Sequence, residues 1–163
     1  MDFTKLGALL DEQETWVHLE VGGKLIYLED GLASVTKTDK PSRVKIRGVS
    51  APSVVKYLKD IERMQLAHRD RVSRAQDRDI DRLAKQFQDK MDATMTKAVA
   101  AAVVDWENVT DPHEPVSPEA VDRLVNPETA ENERAKFFIT AIRGQIYQHI
   151  TEQRSLFTDA ARD

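Results

Sequence analysis

The feature that most constrains the fold of this chain is a long stretch that contains neither glycine nor proline. It runs from just after Pro52 to about Trp106. Because glycine and proline are the residues that most often interrupt helices, their absence over this distance favours a long helix. Ser50 is placed to cap the start of that helix, and Pro52 lies in its first turn, where proline is tolerated best. We therefore predict a long helix over residues 51–107.

Apolar residues are distributed unevenly along the predicted helix. Val54, Leu58 and Ile61 form a stripe near its start, whereas residues 67–79 are mostly charged or polar. A second stripe then repeats about every 3.7 residues, closer to the period of an ordinary helix than to the value of about 3.5 in a coiled coil. This stripe consists of Ile80, Leu83, Phe87, Met91, Met95, Val99, Ala102 and Trp106. We expect it to pack as a globular face, with a solvated bridge, a bend or a hinge near 67–79.

The first part of the chain has the pattern of a small antiparallel sheet. Residues 16–21 alternate in character as a half-buried strand does, and residues 24–28 are also rich in strand-forming side chains. Gly22-Gly23 joins the two runs, and this pair favours a hairpin turn because both turn positions require a positive φ. Asp30-Gly31 indicates a second turn.

A third strand is predicted at residues 43–47, where Val44 and Ile46 fall on one face and three cationic side chains on the other. Residues 32–42 are expected to form a loop. Because a sheet this small is marginal in water, it needs a helix to cover its apolar face. We therefore assign residues 1–50 to a small β module.

Residues 108–163 are predicted to form a C-terminal helical region. Pro112 and Pro115 interrupt the chain after the long helix. Ser117-Pro118-Glu119 then starts a new helix with a capping hydroxyl, a proline at the first position and an acid in the first turn. That helix should end near Asn126-Pro127. A last helix carries apolar residues four apart, at Phe138, Ile142, Ile146 and Ile150.

The predicted fold class is mostly α (α+β). A small N-terminal antiparallel β-sheet in residues 1–50 is followed by a long helix over 51–107, with a bend near 67–79, and by the helical region over 108–163.

The composition limits the cellular compartments in which this protein can be expected and the types of functional site that it can contain. The chain has no cysteine, which excludes disulfides, thiolate nucleophiles and cysteine-based zinc sites. Its net charge of −4 describes a mixed, slightly acidic surface that does not attract phosphate backbones or anionic membranes as a whole. The longest apolar run, residues 98–104, is far shorter than the ~20 residues of a membrane span, and the N-terminus lacks a signal-peptide pattern. We expect a soluble, intracellular protein that does not enter a membrane.

No residue pattern points to catalysis or to a metal site. Asp77, Asp79 and Asp81 resemble the start of a calcium loop, but Arg82 and Gln88 stand where that loop needs glycine and a bidentate glutamate. A Gly-x-Ser-x-Gly elbow is also missing. The four histidines lack the spacing of a helical metal site; they are His18, His68, His113 and His149. We expect no enzymatic activity, no catalytic residues, no metal and no cofactor.

An arginine-rich segment leaves a nucleic-acid-associated regulator open as an alternative function. Its arginines are at positions 63, 69, 71, 74, 78 and 82. They are interleaved with Asp70, Asp77, Asp79 and Asp81, which repel phosphates, and no aromatic side chain lies among them to stack on bases. This pattern makes nucleic acid the less favoured partner and a solvated helix face the better interpretation.

The apolar stripes are the remaining candidates for function. Methionine adapts to varied surfaces, so a stripe that contains Met91 and Met95 can line a partner's groove as well as fill a core. Both interpretations stay open for these side chains. The residues predicted to contact a partner are Phe87, Met91, Met95, Trp106, Phe138, Ile142 and Ile146.

The order of these pieces resembles that of a family of tail assembly chaperones from long-tailed phages and prophages. A Trp-containing strand and turn-rich sheet over 16–28 precede a basic strand that ends in a glycine, Arg43-Val44-Lys45-Ile46-Arg47-Gly48. The long charged helix closes on an Ala/Val-rich stretch and Asp105-Trp106-Glu107-Asn108-Val109. Pro115-Val116-Ser117-Pro118-Glu119 and a final helix rich in Phe and Ile follow. The resemblance covers most of residues 15–157.

This resemblance implies a non-catalytic role in phage tail assembly. Such a chaperone binds the tape-measure protein and keeps its hydrophobic helices in solution while tail-tube subunits polymerise around it. The implied location is the host cytoplasm, and the alternative is a structural tail or head–tail component that stays in the virion tail. Because an exposed apolar stripe favours self-association, we also expect a homo-oligomer when no partner is bound.

Overall fold

A computed structural model of the chain describes residues 14–47 and 51–162, with side chains as far as Glu152. Four α-helices account for most of the described chain: α1 Pro52–Arg74, α2 Asp77–Ala102, α3 Pro118–Val125 and α4 Glu133–Arg162. A single 3₁₀ turn, Pro127–Thr129, separates α3 from α4. The predicted fold class, mostly α with a small antiparallel sheet, is confirmed. The predicted capping residue Ser50 lies outside the described residues.

The strands form one small sheet and two hairpins. They are β1 Thr15–His18, β2 Glu20–Val21, β3 Lys24–Leu25, β4 Tyr27–Glu29, β5 Leu32–Ser34, β6 Arg43–Ile46 and β7 Val103–Glu107. The antiparallel sheet has the order β1-β6-β7, whereas β2 pairs with β3 and β4 with β5. The predicted loop over 32–42 is therefore wrong at its start, because Leu32–Ser34 pairs with β4.

Both predicted turns are confirmed. Gly22 and Gly23 have φ values of 62° and 78° and join β2 to β3. Asp30 and Gly31, with φ values of 50° and 79°, join β4 to β5. A two-residue loop with positive φ at both positions matches the twist of the strands it connects, which explains why these short pairs close hairpins.

The long helix predicted over 51–107, with a bridge, bend or hinge near 67–79, consists of two helices and a strand. Ala75 and Gln76 are both extended, with ψ of 151°, and separate α1 from α2. The charges match such a break, because Arg71 and Arg74 lie in the last turn of α1 and Asp77 and Asp79 in the first turn of α2. The interruption falls inside the polar stretch 67–79.

The helix prediction is wrong for its last residues. Helix α2 ends at Ala102, and Val103–Glu107 forms β7, which pairs antiparallel with β6. Val103 and Val104 are β-branched and suit a strand, and pairing with β6 places Trp106 opposite Val44. The N-terminal sheet is therefore completed by a strand from the middle of the chain.

One core contains residues from all three predicted segments. The apolar faces of β1 and β6 contribute Val17, Val44 and Ile46, which pack against the start of α1 and the end of α2. Helices α3 and α4 close the other side. The buried members from the helices and β7 include Val54, Leu58, Ile61, Val99, Ala102, Trp106, Val121, Val125, Ile142, Ile146 and Ile150.

The C-terminal helices begin and end where local signals place them. Ser117 caps α3 by accepting a hydrogen bond from the Ala120 amide at 3.1 Å, and the helix ends before Pro127 as predicted. Asn132 precedes α4, and its side-chain oxygen accepts from the Ala135 amide at 2.8 Å. None of the helices in the described part of the chain is long and apolar enough to cross a membrane.

Candidate partner-binding groove

An open apolar groove lies between the two hairpins and α4. Its volume is about 480 Å³, within the range of pockets that accept a ligand or a few side chains of a partner. Two of its thirteen lining residues are serines, eleven are apolar, and none is charged. They are Leu19, Val21, Ile26, Ala33, Ser34, Val35, Ser42, Val109, Leu124, Ala135, Phe138, Ile139 and Ile142.

Backbone hydrogen bonds hold the strand side of the groove. The Leu19 amide donates to the Ser42 carbonyl at 2.9 Å, the Ser42 amide to the Ile26 carbonyl at 3.0 Å, and the Ile26 amide to the Leu19 carbonyl at 2.9 Å. Ser42 is buried, and its hydroxyl donates to the Asn108 carbonyl at 2.7 Å. These bonds satisfy the polar groups beneath the groove and fix the two hairpins against the start of the loop after β7.

A single glutamine fixes α4 as the opposite side of the groove. Gln145 donates from its side-chain amide to the His18 carbonyl at 2.8 Å and accepts from the Glu20 amide at 2.9 Å. Its amide group thus pairs with a strand edge as the peptide group of a neighbouring strand would. This contact positions Phe138, Ile139 and Ile142, which lie one to two turns earlier on α4, against the hairpins.

The groove has a buried floor and an exposed apolar rim. Leu19 and Ile142 are 2% and 9% exposed, whereas Phe138 and Val35 are 44% and 59% exposed. The ring of Phe137, which is 64% exposed, meets that of Phe138 edge to face at 5.7 Å. Exposed aromatic and aliphatic side chains gathered beside an apolar cavity are typical of a surface that binds another protein.

The structure places the predicted partner-contact residues in three different settings. Phe138 and Ile142 line the groove. Trp106 and Ile146 lie in the core, at 2% and 0% exposure, and the Trp106 indole donates to the Glu114 carbonyl at 2.8 Å. A tryptophan satisfied in this way is a core residue that also fastens the loop after β7.

The remaining three predicted residues lie on α2, in the helical hairpin. The Phe87 ring stacks on His68 of α1 at 4.1 Å, and Met91 is half-buried against the core. Met95 is also half-buried. The structure does not bring this set together with the groove, and its contact with a partner stays a prediction.

Sequence reasoning missed the strand side of the groove. Val21 and Ile26 were visible only as parts of short β-prone runs, and Val35 fell in the loop predicted over 32–42. Alternation in such runs gives two faces but does not tell which face meets α4, because register and hairpin orientation depend on contacts distant in sequence. The helix side was easier to find, since Phe138 and Ile142 are spaced four apart.

The arginine-rich segment forms the α1–α2 helical hairpin, which has no buried side chain between Ile61 and Ala98 among the described residues. Several of its arginines pair with nearby acids at the exposed surface. Arg74 lies 3.4 Å from Asp70 and Arg82 lies 3.5 Å from Asp79. Such exposed pairs contribute little to stability, and they place acidic groups beside the cations.

A second, polar cleft lies where α2, α3 and α4 meet. Its most unusual residue is Arg143, which is 7% exposed and contacts Thr96 Oγ1 at 3.2 Å and Asp92 Oδ1 at 3.4 Å. Its Nε is buried without a hydrogen-bond partner. Arg143 therefore links α4 to α2. The cleft is lined by charges of both signs, with one more acid than cations: Asp89, Asp92, Asp122 and Glu128 against Lys97, Lys136 and Arg143.

Within the described residues, no cluster of three or more histidine, aspartate or glutamate side chains is arranged to hold a metal ion. The chain was compared with protein-family models, curated proteins and solved structures. No family model, no curated protein and no solved structure matched it.

Proposed function

We propose that this chain is a non-catalytic assembly chaperone of a phage tail. In this proposal it binds apolar segments of the tape-measure protein and of tail-tube subunits in the host cytoplasm and releases them during assembly. The observation that carries the proposal is the uncharged groove with Phe138 on its rim, set in a chain that is otherwise rich in charge.

The groove suits transient binding for a physical reason. Its floor is already packed in the single chain, so a bound segment buries mainly the exposed parts of Phe138, Val35 and Phe137. Full burial of one such side chain contributes about 1.5–3 kcal/mol, and association itself costs several kcal/mol. A few partly exposed side chains therefore support a reversible complex better than a permanent one. The order of motifs from residue 15 to residue 157 supports the assignment to tail assembly independently of the groove.

The first test is whether the groove keeps the tape-measure protein of the same phage in solution. Phe138→Asp places a charge in the uncharged groove, and because Phe138 is 44% exposed the fold should tolerate the change. We expect co-expressed tape-measure protein to remain in the supernatant with the unaltered chain and to sediment with the variant. Leu66→Asp is the matched control, since Leu66 is 64% exposed on α1 and does not line the groove.

Equal solubility with Phe138→Asp and with Leu66→Asp would contradict the proposal. A second measurement separates a chaperone from a structural component of the tail. Quantitative mass spectrometry of mature particles should find the chain abundant in the infected-cell lysate and absent from particles. A fixed copy number per particle would assign it to the virion tail instead.

A further inference from the structure

One edge of strand β5 borders the groove and is unpaired. Two residues, Asp30 and Gly31, connect β4 to β5, so the flanking residues Glu29 and Leu32 form a hydrogen-bonded pair. Such pairs alternate along an antiparallel ladder, which makes Leu28 and Ala33 the next, non-hydrogen-bonded pair. The backbone groups of both residues therefore point away from the hairpin.

The contacts of Leu28 support this assignment. Its amide donates to the Lys40 carbonyl at 2.9 Å, and its carbonyl accepts from the Thr38 hydroxyl at 3.0 Å, both on the side away from β5. The amide and carbonyl of Ala33 point to the opposite side. Among the described residues nothing pairs with them, and Ala33 itself lines the groove. An exposed strand edge of this kind is a template for another strand.

The other polar groups that line the groove are already used. The Ser42 hydroxyl donates to the Asn108 carbonyl, and the Ser34 hydroxyl donates to Glu29 Oε2 at 2.9 Å. No charged side chain lines the groove. A bound segment therefore meets apolar side chains and one backbone amide and carbonyl, those of Ala33. Charged side chains are excluded because they would be buried without a partner.

We infer that the groove binds its partner segment as an extended, uncharged apolar strand that pairs with the free edge of β5 at Ala33. A helix cannot make this pairing, because its backbone groups are bonded within the helix. A strand offers free amides and carbonyls along its edge and places alternate side chains toward the groove, between Val35 and Phe138. This inference deepens the proposed function and rests on it, and it requires the bound segment of the tape-measure protein to be extended, not helical, while the groove holds it.

The test uses two synthetic probes, an uncharged peptide of alternating Val and Thr and a helix-forming peptide of Leu, Ala and Gln. We expect the unaltered chain to bind the Val–Thr peptide at least about tenfold more tightly than the helical one. Ala33→Pro removes the outward amide without touching the β4–β5 bonds, and proline is tolerated at such an edge. It should weaken binding of the Val–Thr peptide about three- to tenfold, the range of one backbone hydrogen bond.

Leu25→Pro is the matched control. In the β2–β3 hairpin the two-residue turn makes Glu20 and Leu25 a non-hydrogen-bonded pair, so proline at 25 also removes an outward amide. Leu25 does not line the groove, and binding should be unchanged. Hydrogen exchange in the unaltered chain gives a measurement that needs no variant, since the Ala33 amide should exchange at least about tenfold more slowly when the peptide is bound.

The outcomes separate the inference from the function on which it rests. Suppose that Phe138→Asp abolishes peptide binding, but that the bound peptide does not slow exchange of the Ala33 amide and Ala33→Pro does not weaken binding. This result would overturn the strand pairing and leave the groove as the binding site. Tighter binding of the helical peptide would do the same. If neither peptide binds and Phe138→Asp has no effect on the tape-measure protein, both the inference and the proposed function fail.

Discussion

Single residues of this chain decide how its short strands are held in place. Gly31 is the clearest case, because it has a φ of 79° and lies against the loop after β7. A Cβ added there would lie 2.7 Å from Asp111 Oδ2. The position therefore favours glycine for its backbone conformation, whereas the exposed Asp111 carboxylate can rotate away from an added Cβ and that contact costs little.

Alanine at Gly31 and at Gly144 should have opposite effects. Gly31→Ala is expected to lower the free energy of unfolding by about 1–3 kcal/mol, chiefly because alanine is strained at this positive φ. Gly144 lies within α4 with no atom within 4 Å of an added Cβ, so Gly144→Ala should raise it by about 0.5–1 kcal/mol.

Urea unfolding monitored by circular dichroism measures both changes. Adding Asp111→Ala to Gly31→Ala should recover little of the loss, because the Asp111 carboxylate can already rotate away and the strained φ of residue 31 remains. A Gly31→Ala variant as stable as the unaltered chain would show that the turn does not depend on this backbone conformation.

Among the elements, α4 has a large influence on the groove because it forms one side, and two of its polar side chains, Gln145 and Arg143, contact other elements. Gln145 bonds to His18 and Glu20, and Arg143 reaches Asp92 and Thr96 on α2. The arginine contacts are 3.2 Å or longer and leave Nε without a partner. We therefore expect the Gln145 hydrogen bonds to be the stronger of the two contacts and to set the position of α4 against the hairpins.

Gln145→Ala should lower the free energy of unfolding by about 1–2 kcal/mol, since it removes two hydrogen bonds across the α4–strand contact. Gln148→Ala is the control, because the Gln148 side-chain amide donates to Glu152 one turn later on the exposed face of the same helix, and its loss should cost less than about 0.5 kcal/mol. Thermal and urea unfolding of the two variants give the comparison. Equal losses would mean that the Gln145 amide does not anchor α4.

Elements with local signals were predictable from the sequence, and those that depend on distant pairing were not. The two hairpin turns and the Ser117 cap follow from residues adjacent in the chain. Strand β7 was missed, because residues 98–102 favour a helix and only pairing with β6 makes Val103–Glu107 a strand. The break at Ala75 contains no glycine or proline. The loss of the apolar stripe over 67–79 indicated its region, and the charges on either side mark its position.

At the scale of the whole molecule, several of the most exposed apolar side chains lie in or next to the elements that form the groove. Leu32 and Val35, on and just after β5, and Phe137 and Phe138, on α4, are all more than 40% exposed. The helical hairpin instead exposes mainly charged side chains, with Leu66 as its most exposed apolar side chain among the described residues.

This difference between the two parts of the surface also shows how far the sequence could predict the site. The periodicity of α4 identified Phe138, but Val35 became part of the site only through the packing of the hairpins against α4.

The same difference predicts how the chain behaves without a partner. Two copies can cover their exposed rims by placing Phe137 and Val35 of each against the other, because each side chain still has most of its surface in contact with water. We expect sedimentation equilibrium to show reversible self-association that does not weaken as salt is raised, since apolar burial and not ion pairing drives it. Phe137→Ser combined with Val35→Ser should weaken it by at least about tenfold, which corresponds to about 1.4 kcal/mol. Leu66→Ser should leave it unchanged. Association that salt abolishes, or that only Leu66→Ser removes, would instead place the contact on the helical hairpin.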